Sequence, residues 1–172
     1  MKKYIPTKYY QSVYDVPYQK LKEDGIKCIL FDLDNTICLI DEENCNEKIV
    51  SLIEQLKKDF YVAIISNNTK KRVSPYKDIL NIDVYYFAMK PFSFKYKKIK
   101  KDKNFNDLEI AVIGDQIMTD IVAGNKIKAI TILVDPLGIK DLKVTSINRF
   151  FENIIFKKFK EKGILERGKY NE

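Results

Sequence analysis

Five short apolar runs constrain the fold of this chain more than any other feature of its sequence. Most of them are rich in β-branched or aromatic residues, which favour strands. They cover residues 27–31, 61–65, 84–88, 110–113 and 129–134. Helix-like stretches fill the gaps between them, at residues 47–58, 70–80, 93–101 and 118–125. Strands that alternate with helices predict right-handed βαβ units and a sheet covered on both faces. We therefore predict an α/β, doubly wound, three-layer sandwich with a five-stranded or slightly larger, mainly parallel sheet.

At 172 residues the chain is long enough for one domain with a substantial core. No repeat or linker divides it, so one domain over residues 1–172 is predicted, with an N-terminal extension at 1–26 and a C-terminal helix and tail at 145–172. The helix at 147–162 is amphipathic. Its apolar stripe, which is predicted to cover the sheet, consists of Ile147, Phe150, Phe151, Ile154 and Ile155. Phe156 and Phe159, beside a lysine-rich end, are left as candidate contacts with a membrane surface.

The charge and the cysteines of the chain restrict its function and its location. A net charge of +7 favours partners that carry phosphate, although a chain that is merely rich in lysine would show the same excess. The absence of histidine excludes His-based catalysis and His-containing zinc sites. The three cysteines, Cys28, Cys38 and Cys45, form no CxxC pair, and their odd number argues against a disulfide framework. We expect a cytoplasmic protein without signal peptide or membrane span, either soluble or peripheral on a membrane.

Polar residues follow four of the five apolar runs at the point where each strand would end. Asp32 and Asp34 follow the first run, Ser66 the second, Lys90 the third and Asp115 the fourth. Ligands of open α/β sheets bind beyond the carboxyl ends of the strands, so these residues are predicted to share one crevice. Asp32 and Asp34 would leave an extended chain on the same side, where two like charges require a cation or a shared proton.

This set of residues suits the transfer of a phosphoryl group. A carboxylate such as Asp32 can attack phosphorus directly, provided that a divalent cation offsets the repulsion from the phosphate oxygens. Mg²⁺ prefers oxygen ligands, and Asp32, Asp115 and the main-chain carbonyl of Asp34 would supply them. The side chain of Asp34 is then available as general acid and base.

The remaining candidates support the phosphate or the metal. Ser66 and Lys90 would donate to the phosphoryl oxygens, and Asn67 is a further candidate for substrate binding. Asp120 would orient the water shell of the metal, and Thr36 would support the site through its backbone geometry. Each residue also has a purely structural interpretation. Those interpretations are a strand-end turn for Asp32 and Asp34, a helix N-cap for Ser66, a surface lysine for Lys90 and an exposed helix residue for Asp120.

The motifs FDLDNT, IISNN, AMKP and VIGDQIMTD, taken in this order, resemble those of the haloacid dehalogenase (HAD) superfamily of phosphotransferases. The resemblance implies Asp32 as nucleophile, Asp34 as acid and base, Ser66 and Lys90 on the phosphate, and Asp32, Asp34 and Asp115 around Mg²⁺. The wider segments YIPTKYYQSVYDV, LKEDGIKCILFDLDNT, GDQIMTDIVAGNKI and TSINRFFENI resemble the YqeG family of subfamily IIIA, which is related to phosphatidylglycerophosphate phosphatases. This second resemblance implies a small phosphatase and suggests a phospholipid substrate.

The spacing of the motifs leaves no room for a cap domain over the crevice. Only 33 residues separate Asp32 from Ser66, and the gap between Lys90 and Asp115 again holds one helix. An open crevice suits a bulky phosphomonoester, such as a lipid head group, a protein or a nucleic-acid end, unless oligomerisation supplies a lid. We favour a phospholipid at the membrane surface over a nucleic acid or a small metabolite. The alternative function is not enzymatic: a phosphoryl-receiver or phosphate-binding module. A receiver must keep its aspartyl-phosphate, whereas an acid and base at Asp34 would speed its hydrolysis.

Overall fold

Six parallel strands form a single sheet in the computed structural model, which describes residues 1–42, 44–138 and 143–171, with side chains outside 143–148. The strands are β1 (Lys8–Tyr10), β2 (Cys28–Phe31), β3 (Tyr61–Ile65), β4 (Asp83–Tyr85), β5 (Ile110–Gly114) and β6 (Ile130–Val134). They lie in the order β1-β6-β5-β2-β3-β4, so β2 is central between β3 and β5. The predicted doubly wound α/β class is confirmed.

Within the described ranges, seven α-helices connect or follow these strands. They are α1 (Tyr18–Glu23), α2 (Glu47–Leu56), α3 (Lys70–Val73), α4 (Pro75–Leu80), α5 (Phe94–Asp102), α6 (Val122–Lys126) and α7 (Lys143–Glu161). Successive residues of β2 point to opposite sides: Ile29 and Phe31 join a core with α2 and α4, whereas Cys28 and Leu30 join a second core with α5 and α6. This alternation produces the three layers.

Among the described strands, the one that the apolar runs do not predict is β1, which lies inside the segment that the sequence assigns to an N-terminal extension. β1 pairs with β6, and Thr7 N donates to Thr131 O at 2.8 Å just before it. The ring of Tyr9 is fully buried against Phe156 and Tyr170. A three-residue edge strand is too short to show a hydrophobic period, which explains why the sequence pattern does not reveal it.

Two predicted elements are shorter or more broken than their apolar runs. The strand at 84–88 ends at Tyr85, because Phe87 (φ 47°) and Met89 (φ 57°) adopt the left-handed region and leave the sheet. The helix at 70–80 is divided at Ser74 into α3 and α4, with Pro75 in the first turn of α4.

The prediction for the buried face of the last helix is wrong. Phe156 and Phe159 are buried in a third apolar cluster with Tyr9 and Ile121, whereas Phe150 and Phe151 are 63% and 47% exposed. Ile154 is also exposed, and the side chain of Ile147 lies outside the described residues. Of the predicted stripe, Ile155 alone among the described side chains is half-buried and packs against the third cluster. The buried face begins with two polar residues, Arg149 and Glu152, which have hydrogen-bond partners inside the protein. Because these two residues are charged, counting apolar residues selects the wrong side of the helix.

The prediction for the cysteines also needs correction. Cys38 and Cys45 are joined by a disulfide, with their Cα atoms 5.5 Å apart, while Cys28 is free and buried in the core. The two joined residues lie in the irregular segment between β2 and α2, where spacing alone does not predict pairing. Among the described residues, no helix has the length and apolar character that crossing a bilayer requires.

Candidate active site

The carboxyl ends of β2, β3 and β5 bring the predicted site residues together. Asp32 follows β2, and its N–H donates to Ile113 O of β5 at 2.9 Å, which extends the ladder by one residue. Ser66 follows β3 and Asp115 follows β5, and both are buried. The parallel register places these three residues side by side, as the pattern of strand ends predicts.

A buried lysine bridges two carboxylates at the centre of the site. Lys90 Nζ donates to Asp32 Oδ1 and to Asp120 Oδ1, each at 2.6 Å, and to Ile65 O at 3.1 Å. Burial alone would lower the pKa of Lys90, but the carboxylates of Asp120 and Asp32 raise it well above its usual value, so the ammonium remains charged. Lys90 is therefore not a solvated surface lysine.

Asn67 fixes the backbone of Lys90 from both sides. Its Nδ2 donates to Lys90 O at 2.9 Å, and its Oδ1 accepts from Lys90 N at 2.6 Å. The peptide bond from Lys90 to Pro91 is cis. These two hydrogen bonds hold the lysine in place, which makes Asn67 a support for the site in this geometry.

Three carboxylates form an acidic group beside Lys90. One oxygen each of Asp32, Asp115 and Asp120 lies within 4.8 Å of the others. Burial raises the pKa of the Asp32 carboxyl to about 7, against the opposing effect of Lys90. Burial also raises the pKa of Asp115 well above its usual range. Thr36 Oγ1 lies 3.2 Å from Asp115 Oδ1 and donates to it.

Asp120 reaches this group because β5 ends in a glycine. A Cβ at Gly114 would lie 2.4 Å from Asp120 Cγ, so close that the Asp120 side chain would have to shift. Asp120 is on the π-helical turn Ile117–Ile121 and is 1% exposed, with Oδ2 accepting from Gln116 N at 3.3 Å and Thr119 Oγ1 at 3.2 Å. The interpretation of Asp120 as an exposed helix residue is therefore wrong.

Asp34 lies in a different environment from Asp32. Arg72 donates to Asp34 Oδ1 from Nε at 3.0 Å and from Nη2 at 2.9 Å, and Asn68 Nδ2 donates to Oδ2 at 3.1 Å. Asn35, which follows Asp34, adopts the left-handed region (φ 63°) at the turn after β2. The two aspartates are thus held by different cations, Asp32 by Lys90 and Asp34 by Arg72.

The helix N-cap proposed for Ser66 belongs to another residue. The side chain of Thr69 accepts from Arg72 N and caps α3. The hydroxyl of Ser66 instead accepts from Asn68 N at 3.1 Å, within the turn that follows β3. Ser66 is 2% exposed and lies at the edge of the same crevice.

The last helix contributes two residues that sequence reasoning missed. Arg149 Nη1 donates to Asp115 O at 2.9 Å and to Glu152 Oε2 at 3.0 Å, and Nη2 contacts Asp115 Oδ2. Glu152, in turn, accepts from Ile117 N and Met118 N at the start of the π-helical turn. Arg72 was missed as well. The spacing of Arg149 and Glu152 with Phe156 and Phe159 on one helical face is the signal that could have identified the first two.

The charges of the site suit a divalent cation. Among the described residues, the buried carboxylates of Asp32, Asp115, Asp120 and Glu152 have only Lys90 and Arg149 as cationic partners in the site. Buried charges that are not compensated are costly, and oxygen-only ligands are those that Mg²⁺ prefers. Asp32 and Asp115 could hold such an ion, with Asp120 close enough to bind it directly or through water.

The six-stranded parallel sheet has an HAD-like α/β fold, and the sequence similarities that follow make the chain an HAD-type phosphatase. The chain belongs to the family described as "Mitochondrial PGP phosphatase", whose model matches residues 1–138. It is 32% identical over 164 residues to "Probable phosphatase YqeG" of Bacillus subtilis (strain 168), covering 95% of both chains. The resemblance that the motifs indicate is confirmed, and the protein is a phosphatase.

Two further similarities are more distant. The chain is 26% identical over 133 residues to "Phosphatidylglycerophosphate phosphatase 1, chloroplastic/mitochondrial" of Arabidopsis thaliana, covering 72% of this chain and 38% of that protein. The crystal structure of a probable YrbI family phosphatase from Pseudomonas syringae superposes with a TM-score of 0.50 at 17% identity, covering 81% of this chain and 90% of that one. At that identity the second similarity concerns the fold alone.

Proposed function

We propose that the protein is a Mg²⁺-dependent phosphomonoester hydrolase that acts through an aspartyl-phosphate on Asp32. The observation that carries the proposal is the contact of Lys90 with Asp32, 2.6 Å long, inside a group of three buried carboxylates. A nucleophile, a fixed positive charge and a set of oxygen ligands are thereby within reach of one phosphate. Bound Mg²⁺ would neutralise the phosphate oxygens and allow a carboxylate to approach phosphorus.

In the first step, a carboxylate oxygen of Asp32 attacks phosphorus, and the bond between phosphorus and the ester oxygen breaks. Oδ1 of Asp32 accepts from Lys90, so Oδ2 is assigned to the attack. Asp34 donates a proton to the departing alkoxide, which leaves as the alcohol. Asp34 must be protonated before this step, and Arg72 and Asn68 position it through three hydrogen bonds.

In the second step, water attacks the phosphorus of the aspartyl-phosphate. Asp34, now a carboxylate, accepts a proton from the water as the bond to Asp32 breaks, and inorganic phosphate leaves. Lys90 and Ser66 donate to the phosphoryl oxygens in both steps. Asn67 holds the backbone of Lys90, so its role in this scheme is positioning and not direct contact with the substrate.

The proposed substrate is the phosphate monoester of a glycerophospholipid, with phosphatidylglycerophosphate as the leading candidate. Membership of the "Mitochondrial PGP phosphatase" family and the similarity to the Arabidopsis phosphatidylglycerophosphate phosphatase support this choice. The net charge of +7 is also favourable for an anionic substrate. In the described part of the chain, no inserted domain covers the crevice, so the bulk of such a lipid could remain outside it.

The test is a hydrolysis screen with Mg²⁺ across phospholipid, nucleotide, sugar-phosphate and phosphopeptide substrates. We expect release of phosphate that EDTA abolishes and that is fastest with phosphatidylglycerophosphate in mixed micelles. Activity that persists in EDTA would contradict the metal dependence. Much faster cleavage of a soluble phosphomonoester would contradict the lipid substrate and leave the phosphatase mechanism intact.

A further inference from the structure

Four large apolar side chains stand out from the protein on both sides of Lys90. They are Phe87, Met89, Phe92 and Phe94, which are between 52% and 69% exposed, and we refer to them as the rim. Between them, Ala88 and Lys90 point inward and are 1% and 6% exposed. The same short segment therefore delivers a buried ammonium group to Asp32 and exposes apolar groups to the outside.

The backbone holds the rim in this conformation through defined contacts. Phe87 and Met89 have φ values of 47° and 57°, in the left-handed region that residues with a side chain rarely adopt. Phe87 N donates to Asn68 O, and Ala88 N donates to Ser66 O, both at 2.9 Å. These bonds tie the rim to the turn after β3, which also carries Ser66 of the site. The outward direction of Phe87 and Met89 is thus part of the same structure that positions the phosphate-binding groups.

Lysines surround the rim. Lys70 and Lys95 lie over the ring of Tyr86, with Nζ 6.0 and 5.3 Å from its centroid, and Tyr86 packs edge-on against Phe87. Lys126 Nζ lies 5.6 Å from the centroid of Phe92 and donates to Pro91 O at 2.9 Å. Apolar side chains that project between ammonium groups match the surface of an anionic leaflet. In such a leaflet the lipid phosphates attract lysine side chains, and aromatic groups enter the headgroup boundary.

We propose that the rim docks on an anionic phospholipid bilayer and places the headgroup phosphate of a membrane lipid next to Lys90 and Asp32. As an account of how substrate is captured, this rests on the proposed lipid phosphatase function. A second copy of the chain is a poorer occupant, because self-association through this surface would bring lysines against lysines. The rim replaces Phe156 and Phe159 as the membrane contact, since both of those side chains are buried.

The chain contains no tryptophan, which allows a single-reporter experiment. Phe94 and Leu108 are each 69% exposed, but Leu108 precedes β5 and lies at the opposite end of the sheet from Asp32. We compare Phe94→Trp with Leu108→Trp in the presence of vesicles made from equal parts of phosphatidylglycerol and phosphatidylcholine. At low salt, tryptophan emission should shift to the blue for Phe94→Trp and remain unchanged for Leu108→Trp. Vesicles of pure phosphatidylcholine should give a much smaller shift.

A second measurement uses loss of the side chains. Phe87→Ser combined with Phe94→Ser should reduce co-sedimentation with the anionic vesicles by about tenfold or more, whereas Leu108→Ser should sediment like the unmodified protein. Equal sedimentation of all three proteins, or equal shifts from both tryptophans, would overturn the docking surface. So would a lipid-free dimer that the double variant abolishes, since that result identifies a protein interface.

The two proposals fail in different ways. A protein that hydrolyses soluble phosphomonoesters and phosphatidylglycerophosphate but ignores vesicles would overturn the docking surface alone. A protein that binds anionic vesicles through the rim but leaves phosphatidylglycerophosphate intact would overturn the lipid substrate, while the docking surface stands.

Discussion

The guanidinium of Arg149 donates to both the main chain and the side chain of Asp115: Nη1 lies 2.9 Å from the carbonyl oxygen of Asp115, and Nη2 contacts its Oδ2. Helix α7 therefore supplies a cation to the acidic group at the carboxyl end of β5. The same guanidinium neutralises Glu152, which binds the two N–H groups at the start of the π-helical turn that carries Asp120. A segment remote in sequence from the strand-end motifs is thus part of the site.

We predict that Arg149→Gln lowers the melting temperature in EDTA and increases the stabilisation by Mg²⁺. Loss of the guanidinium leaves Asp115 and Glu152 buried without their cation, at a cost of about 3–5 kcal/mol. A divalent cation at Asp115 would restore positive charge, and binding to the folded state alone raises stability. Thermal unfolding with and without Mg²⁺ measures both effects. Lys157→Gln, on an exposed position of α7, is the control. Equal Mg²⁺-dependent shifts in both variants would contradict the prediction.

Asp32→Asn should abolish turnover without unfolding the protein. An amide nearly preserves the volume of the carboxylate but cannot form the aspartyl-phosphate. Burial raises the pKa of Asp32 to about 7, so the variant also loses an unfavourable buried charge, and its melting temperature should equal or exceed that of the unmodified protein in EDTA. The control is Asp24→Asn, an exposed aspartate paired with Lys20. Full activity of purified Asp32→Asn would refute the assignment of Asp32 as the nucleophile.

Asp34→Asn should slow turnover by about 10²–10⁴-fold, the usual contribution of a general acid and base. The oxygen of an asparagine can still accept from Arg72 in place of Oδ1, while its amide replaces Oδ2 and loses the hydrogen bond from Asn68, so the fold should persist with a small loss of stability. Because the second step also needs Asp34, acid quenching of the variant should trap more phosphate on Asp32 than is trapped on the unmodified protein. Wild-type turnover would exclude a proton-transfer role for Asp34.

Gly114→Ala should impair activity more than stability. The added methyl group would lie 2.4 Å from Asp120 Cγ, so Asp120 must move away from Lys90. Overpacking costs about 1–3 kcal/mol, and we expect a loss of activity of about tenfold or more. Gly25→Ala is the matched control, since its φ of +88° strains the backbone although nothing lies within 4 Å of the added carbon. If both variants lose activity in proportion to their lost stability, Gly114 has no specific role at the site.

Phe159→Ala should destabilise the protein by about 3–5 kcal/mol, as expected for a fully packed phenylalanine. The side chain is 1% exposed in the cluster with Tyr9 and Ile121. Phe151→Ala, at 47% exposure on the same helix, should change the free energy of unfolding by less than about 1 kcal/mol. Denaturant titrations measure both values, and the opposite ranking would restore the face that the sequence favours.

The strand ends were predictable because parallel topology fixes which residues meet. An apolar run marks each strand, and the residue after it lies at the carboxyl edge, so the sequence groups Asp32, Ser66 and Asp115. Lys90 joins them although β4 ends at Tyr85, because the segment that follows β4 is tied to Ser66 by the hydrogen bond from Ala88 N to Ser66 O. The close approach of Asp120 also has a local signal, a glycine at the end of β5. Local pattern and tertiary position agree at these residues.

The partners that come from elsewhere in the chain lie at no strand end, and the helical spacing that marks Arg149 does not show what it binds. Arg72 and Arg149 are single arginines on short or amphipathic helices, and their contacts depend on how those helices pack. The face of α7 was misjudged for a related reason, since burial there is decided by ion pairs at one end and by Phe156 and Phe159 at the other. Residue type alone does not distinguish a lysine or arginine in solvent from one that completes a buried charge network.

The pairing of β1 with β6 has a consequence for the order in which the sheet is assembled. The hydrogen bond between Thr7 and Thr131 joins residues 124 positions apart. At a synthesis rate of 5–20 residues per second, β1 would leave the ribosome about 6–25 s before its partner. The central strands β2, β3 and β5 can pair during this interval, whereas the edge formed by β1 must wait for β6. Long-range pairing of this kind is slow, so closure of that edge should be among the last events of folding.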